Sequence, residues 1–137
     1  MVKKEHPHII NEVDLNEATV SLTSDDIVYV YMKDNCVLDV ELQMTLFDVY
    51  HKVTGGKLTP FIFHGGENVS TTKEARENFK KIEEQFPISA SAVIANNLAY
   101  KLVANFYLQF YKPKRPYKVF NTEKDALKWL KCLSLIK

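Results

Sequence analysis

The chain has 137 residues, 46% hydrophobic and 26% charged, which is the profile of one globular domain and excludes a disordered or fibrous chain. Its 18 basic and 17 acidic side chains leave a formal charge of +1, so no overall field gathers phosphate backbones, and nucleic acid is not expected as a partner. No run approaches the ~18 apolar residues of a membrane span and the first residues lack the apolar stretch of a secretory signal, so a cytoplasmic protein without membrane insertion is expected.

The first patterned stretch is ATVSLT at 18–23, followed by a Ser24-Asp25-Asp26 turn and IVYVYMK at 27–33. Alternating β-branched and aromatic residues around a polar turn predict a β-hairpin. Residues 1–15 precede it and are expected to be loosely ordered. From residue 39 the period changes: Leu42, Leu46, Val49 and Val53 share one helical stripe, and Gly55-Gly56 ends it, which predicts a helix over 39–54.

TPFIFHGG at 59–66 is an apolar run too short for a helix, and predicts a central strand covered on both faces. Thr71-x-x-Glu74 has capping-box spacing, and Ala75, Phe79, Ile82 and Phe86 supply the buried stripe of a second helix closed by Pro87. ISASAVIA at 88–95 predicts another strand. Asn96 then caps a helix reaching about Tyr111, and PYKVF at 116–120 is the last strand. Asn121 or Thr122 opens a terminal helix carrying Leu127, Leu130 and Leu133. The order ββαβαβαβα requires crossover connections, hence an α/β fold in one domain over 1–137, with a mostly parallel sheet, an antiparallel N-terminal hairpin and helices packed against it.

The C-terminal third, SAVIANNLAYKLVANFYLQFYKPKRPYKVFNTEKDALKWL, resembles an uncharacterised bacterial family of the STAS/SEC14-like, SpoIIAA-like fold group. The resemblance is carried by LVANFYLQFYKP, by the strand from Pro116 to Phe120-Asn121, by Ala126-Leu127-x-Trp129-Leu130, and by Ser70-x-x-Lys73-Glu74-Ala75-Arg76. It implies a SpoIIAA-like fold. In STAS anti-anti-sigma factors, a serine in an Asp-Ser-Ser-Gly-like turn before the second helix is phosphorylated by a partner kinase. The matching stretch here, residues 68–72, keeps hydroxyls at Ser70, Thr71 and Thr72 but lacks the aspartate and the glycine. The resemblance makes these three candidate regulatory hydroxyls, while their position at a helix start equally suits capping.

Catalytic motifs are missing. His64-Gly65-Gly66-Glu67 has no GxSxG elbow to serve, and neither glycine pair fits a phosphate-cradling loop. His6, His8, His51 and His64 do not cluster with thiolates or carboxylates at metal-ligand spacing, and no cofactor or metal is expected. Cys36 and Cys132 are far apart and read as reduced thiols, with Cys132 expected to be buried. Lys112, Lys114, Arg115 and Lys118 form a short basic loop that either contacts an anion or is simply solvated.

In the helix expected at 96–111, Tyr100, Ala104, Tyr107 and Tyr111 make a second stripe beside the apolar one, so Tyr100, Tyr107 and Tyr111 are candidate interface residues unless neighbouring helices cover them. The expected function is a noncatalytic module that docks onto an unknown protein partner or onto itself, a homodimer being the simplest form, through that helix and the loop 64–72. A small-molecule or lipid carrier of SEC14-like type is the alternative, and it requires a cavity.

Overall fold

A computed structural model of the protein describes residues 7–95 and 113–135. Its elements are β1 (Ile9–Asp14), β2 (Ala18–Thr23), β3 (Val28–Met32), the short β4 (Val37–Leu38), α1 (Val40–Thr54), β5 (Thr59–Gly65), the short β6 (Ser70–Thr71), α2 (Lys73–Ile82) with a 3-10 turn at Glu83–Gln85, β7 (Ile88–Ile94), β8 (Tyr117–Phe120) and α3 (Glu123–Leu135). The helix expected at 96–111, with Tyr100, Tyr107 and Tyr111, lies outside the described residues, as does Lys112.

The six long strands form one sheet in the order β1-β2-β3-β5-β7-β8, antiparallel across the first two pairings and parallel across the last three. The chain is therefore α/β, with a mostly parallel sheet and an antiparallel N-terminal start. The hairpin is β2–β3, and its turn places Asp26 at φ 60°, a left-handed position that Asp tolerates because its short side chain bonds locally. Residues 9–14 correct the expectation of a loose N-terminus. They add β1 to the free side of β2, where the Val13↔Val20 pair continues the apolar row. Ile9 and Ile10 stay exposed at 54% and 58%, so burial contributes little of the signal there, and an edge strand has to be recognised by its pairing.

Helix α1 starts where Asp39 accepts from Leu42 N at 2.8 Å and stops where Gly55 turns left-handed at φ 66°. In α2 the cap is Thr72, whose Oγ1 accepts from Ala75 N at 3.1 Å; the capping box expected from Thr71 to Glu74 does not form. The physical reason is that Thr71 is already held in β6, one residue earlier, by its pairing with Leu38.

Two cores result. On the inner face, Val20, Val28, Val30 and Phe61 pack against Leu42, Leu46, Tyr50 and Val53 of α1 and against Phe86. On the outer face, Ile27, Ile62, Ala90, Ala92 and Ile94 pack against Ala126 and Leu130 of α3. Strand β7 serves both through an irregularity: Thr59 pairs with Ile88 while Pro60 pairs with Ala90, so Ser89 is an extra residue that shifts the phase. Ile88 thereby joins the inner core and Ala90, two residues on, the outer one.

A buried amide bridge joins the two inner helices. Gln43, 6% exposed, donates through Nε2 to Ala75 O at 2.8 Å and accepts at Oε1 from Asn78 Nδ2 at 2.7 Å, so both ends of its amide are satisfied. On α3, Cys132 is exposed, a correction to the buried thiol expected from the sequence. It follows Leu130 by two positions, about 200° around the helix, and so falls opposite the buried stripe. Cys36 is the buried thiol, and desolvation pushes its pKa up, with the charges of Glu17 and Asp39 adding to the effect. Among the described residues no helix is long and apolar enough to cross a membrane.

Phe61→Ala and Ile62→Ala each remove a fully buried side chain from one of the two cores. Urea unfolding is expected to show losses of about 3–5 kcal/mol for the first and about 2–5 for the second, against a change within about 0.5 kcal/mol for Cys132→Ser.

Candidate functional site

In parallel sheets the chain leaves each strand at its C-terminal end into a loop, and ligand or partner sites collect there. Strand β3 runs out into residues 33–36 and β5 into residues 66–69. Both loops turn through a left-handed asparagine, Asn35 at φ 63° and Asn68 at φ 59°. The two asparagines meet, Asn68 Nδ2 donating to Asn35 Oδ1 at 3.0 Å.

Four further hydrogen bonds join the loops. Asn35 N donates to Glu67 O and Glu67 N to Asp34 Oδ1, both at 2.8 Å. Ser70 N donates to Cys36 O and Thr72 N to Leu38 O, both at 3.0 Å, closing the small parallel β4–β6 pair. Gly66 makes the approach possible: a Cβ there would collide with Asp34 Oδ1 and lie 2.9 Å from Asp34 N. The loop edge is therefore a single bonded unit.

The three candidate hydroxyls have different roles in that unit. Thr72 spends its oxygen on the cap of α2. Thr71 is half-buried, and its carbonyl accepts from Arg76 Nη1 at 2.6 Å. Ser70 is exposed, and its hydroxyl has no partner among the described residues. Beside it, paired across the β4–β6 ladder, Val37 is 52% exposed. An exposed apolar side chain thus adjoins a free hydroxyl on a backbone that cannot easily shift.

His64, half-buried at the end of β5, meets the Tyr31 ring edge-on at a centroid distance of 5.6 Å. His51 is turned back onto its own helix, its Nδ1 2.8 Å from Phe47 O. Among the described residues no three His, Cys, Asp or Glu side chains converge as metal ligands would.

The basic loop lies elsewhere and does structural work. Arg115 Nη1 donates to Phe86 O at 2.7 Å and Ile88 O at 2.8 Å, and Nη2 donates to Glu84 O at 2.9 Å. Lys114 N donates to the buried Glu83 Oε2 at 3.0 Å, while its ammonium pairs with Glu84 at the surface. Arg115 in this geometry holds the entry to β8 against the entry to β7, with three of its guanidinium N–H groups on backbone carbonyls. The loop edge itself has one sequence signal, the turn-forming Asn and Gly residues, but nothing in the spacing pairs Asn35 with Asn68.

Two open hollows of about 270 Å³ and 340 Å³ indent the described surface, one over the outer sheet face and one near the β2–β3 turn. They are near the ~300 Å³ lower range of ligand sites.

A family model for a domain of unknown function, DUF7793, matches residues 21–134. No curated protein matches the chain. Among solved structures it is similar to the 2.25 Å crystal structure of an uncharacterised DUF3478-family protein with a SpoIIAA-like fold from Shewanella loihica PV-4. The two are 16% identical, with a TM-score of 0.58 over 95% of this chain and 99% of the other. At that identity the likeness carries the fold alone, and the fold is SpoIIAA-like, as the C-terminal residues and the element order lead one to expect.

Thr72→Ala is expected to cost about 1 kcal/mol of stability through the lost cap, whereas Ser70→Ala changes it by less than about 0.5. Gly66→Ala, which must break the Asp34 contact, is expected to cost about 1–3 kcal/mol. Equilibrium denaturation of the three variants separates these roles.

Proposed function

The chain belongs to the DUF7793 family, and we propose that it is a noncatalytic protein-interaction module whose docking edge is the bonded pair of loops after β3 and β5. The observation that carries this reading is the exposed Ser70 beside exposed Val37 on a backbone pinned by five inter-loop hydrogen bonds. A partner that binds such an edge loses little conformational entropy from the loop, because the ordering has been done during folding. Covering Val37 removes apolar area from water, and the Ser70 hydroxyl and Asn68 amide beside it supply directional bonds.

The same arrangement favours binding over nucleophilic chemistry. An activated serine needs a base within hydrogen-bond reach, and among the described residues no imidazole or carboxylate bonds Ser70 Oγ. A phosphoryl group on Ser70 adds about −1.5 to −2 charges and three acceptor oxygens at the centre of this edge, which makes Ser70 the position at which docking is regulated. The simplest occupant is a second copy of the chain, related by a two-fold axis.

Sedimentation velocity of the full chain, with a parallel affinity capture from cell extract, tests the reading with Val37→Glu and Ser70→Glu. A self-associated species or a specific bound protein is expected, diminished about tenfold or more by either substitution, as for a residue at the centre of an interface. Identical behaviour of the parent and both variants in the two measurements overturns it.

A further inference from the structure

Helix α3 covers the outer sheet face unevenly. It packs on β7 and β8, where the strands present Ala92 and Ile94, and leaves the face of β1, β2 and β3 without a helix among the described residues. The pairing register shows what lies there. One row across the sheet reads Glu12, Ser21, Tyr29, Ile62, Ala92, and the next reads Asp14, Thr19, Tyr31, His64, Ile94. Each row passes from carboxylate to hydroxyl to tyrosine before it reaches the apolar residues under α3.

Glu12, Ser21, Tyr29 and Ile62 of the first row and Thr19, Tyr31 and His64 of the second line the 270 Å³ hollow, together with Glu123, the first residue of α3. Among the described residues the hollow's titratable lining is Glu12, Glu123, Tyr29, Tyr31 and His64, with no lysine or arginine. The nearby cation, Lys33, is engaged with Asp14 at 3.0 Å and with Leu15 O at 2.8 Å. Its ammonium and the Thr19 hydroxyl hold the Asp14 carboxyl below the usual range. Glu12 accepts from Ser21, which is 8% exposed, so this carboxylate is anchored by a buried hydroxyl, and neither it nor Glu123 has a cationic partner among the described residues.

Two carboxylates that line one hollow with two tyrosine rings complement a ligand that carries positive charge on an apolar body. We propose that this hollow is a binding site for a small organic cation, an alkylammonium or guanidinium compound, seated over Tyr29 and Tyr31 between Glu12 and Glu123. The Tyr29 phenol reports the same field: burial first, then the charges of Glu123 and Asp25, push its pKa up to about 12. A negative field that resists phenolate formation favours a cation. Glu12 and Glu123 are both exposed, so they act through charge and position at the mouth of the hollow. The site is distinct from the Ser70 edge, and the two readings stand or fall separately.

Amide NMR spectra of the full chain titrated with choline, putrescine and agmatine, with the uncharged choline isostere dimethylbutanol as control, test the proposal. Saturable shifts confined to β1–β3, His64 and the start of α3 are expected with at least one cation and not with dimethylbutanol. The Glu12→Gln/Glu123→Gln double variant, whose spectrum elsewhere reports an intact fold, should bind that cation about fivefold or more weakly. The proposal is overturned if none of the three cations gives saturable shifts by about 20 mM at low salt, if dimethylbutanol matches them, or if the double variant binds as tightly as the parent.

Discussion

The architecture depends on burying both faces of β5. Phe61 is 0% exposed on one side and Ile62 is 1% exposed on the other. Adjacent residues of a strand point to opposite faces, so a strand with two such neighbours must be sandwiched, and α1, α2 and α3 are the elements that cover it. Each buried side chain contributes about 1.5–3 kcal/mol relative to exposure, and the neighbours of β5 follow from the same demand. Strand β3 pairs on one side and β7 on the other, the latter with an extra residue so that it can serve the inner core at Ile88 and the outer core at Ala90.

The helices do not cover the two faces equally, and the chemistry of the exposed surface follows from that. The inner face is closed by α1 and α2, which the Gln43 amide ties together. On the outer face α3 is the one helix among the described residues, and it rests over β7 and β8. The half that α3 leaves clear carries Glu12, Asp14, Thr19, Ser21 and two tyrosines, whose polar groups avoid an exposed apolar patch. The pairing register sets these polar groups side by side in rows, beside the start of α3.

At the C-terminal end of the sheet, a different economy holds. Parallel strands deliver their loops to the same edge, and here the loops after β3 and β5 satisfy one another's backbone groups. Gly66 permits the approach and the left-handed Asn35 and Asn68 provide the turns. The result holds Ser70 outward and Thr72 inward, although the two are near neighbours in sequence and alike in chemistry. A hydroxyl used as a helix cap is unavailable for other work, whereas Ser70 retains its donor and its acceptors.

Local composition and period determined the central elements: the hairpin, α1 with its Gly55 stop, the doubly covered β5, and the terminal helix with Leu130 on its buried side. These depend on residue spacing within one element, which the chain carries in itself. Strand β1, the cap at Thr72 in place of Thr71, the exposure of Cys132 and the structural role of Arg115 were decided by tertiary contacts. β1 exists because β2 offers it an edge, Thr72 caps because β6 already holds Thr71, and Arg115 meets carbonyls nearly thirty residues away in sequence. Of the candidate site, the sequence by itself determined that hydroxyls stand before α2. Which one is free, and that the rows Glu12-Ser21-Tyr29 and Asp14-Thr19-Tyr31 form one surface, was decided only when strand register set side chains from separate strands side by side, because register is a property of pairs of strands and no single strand encodes it.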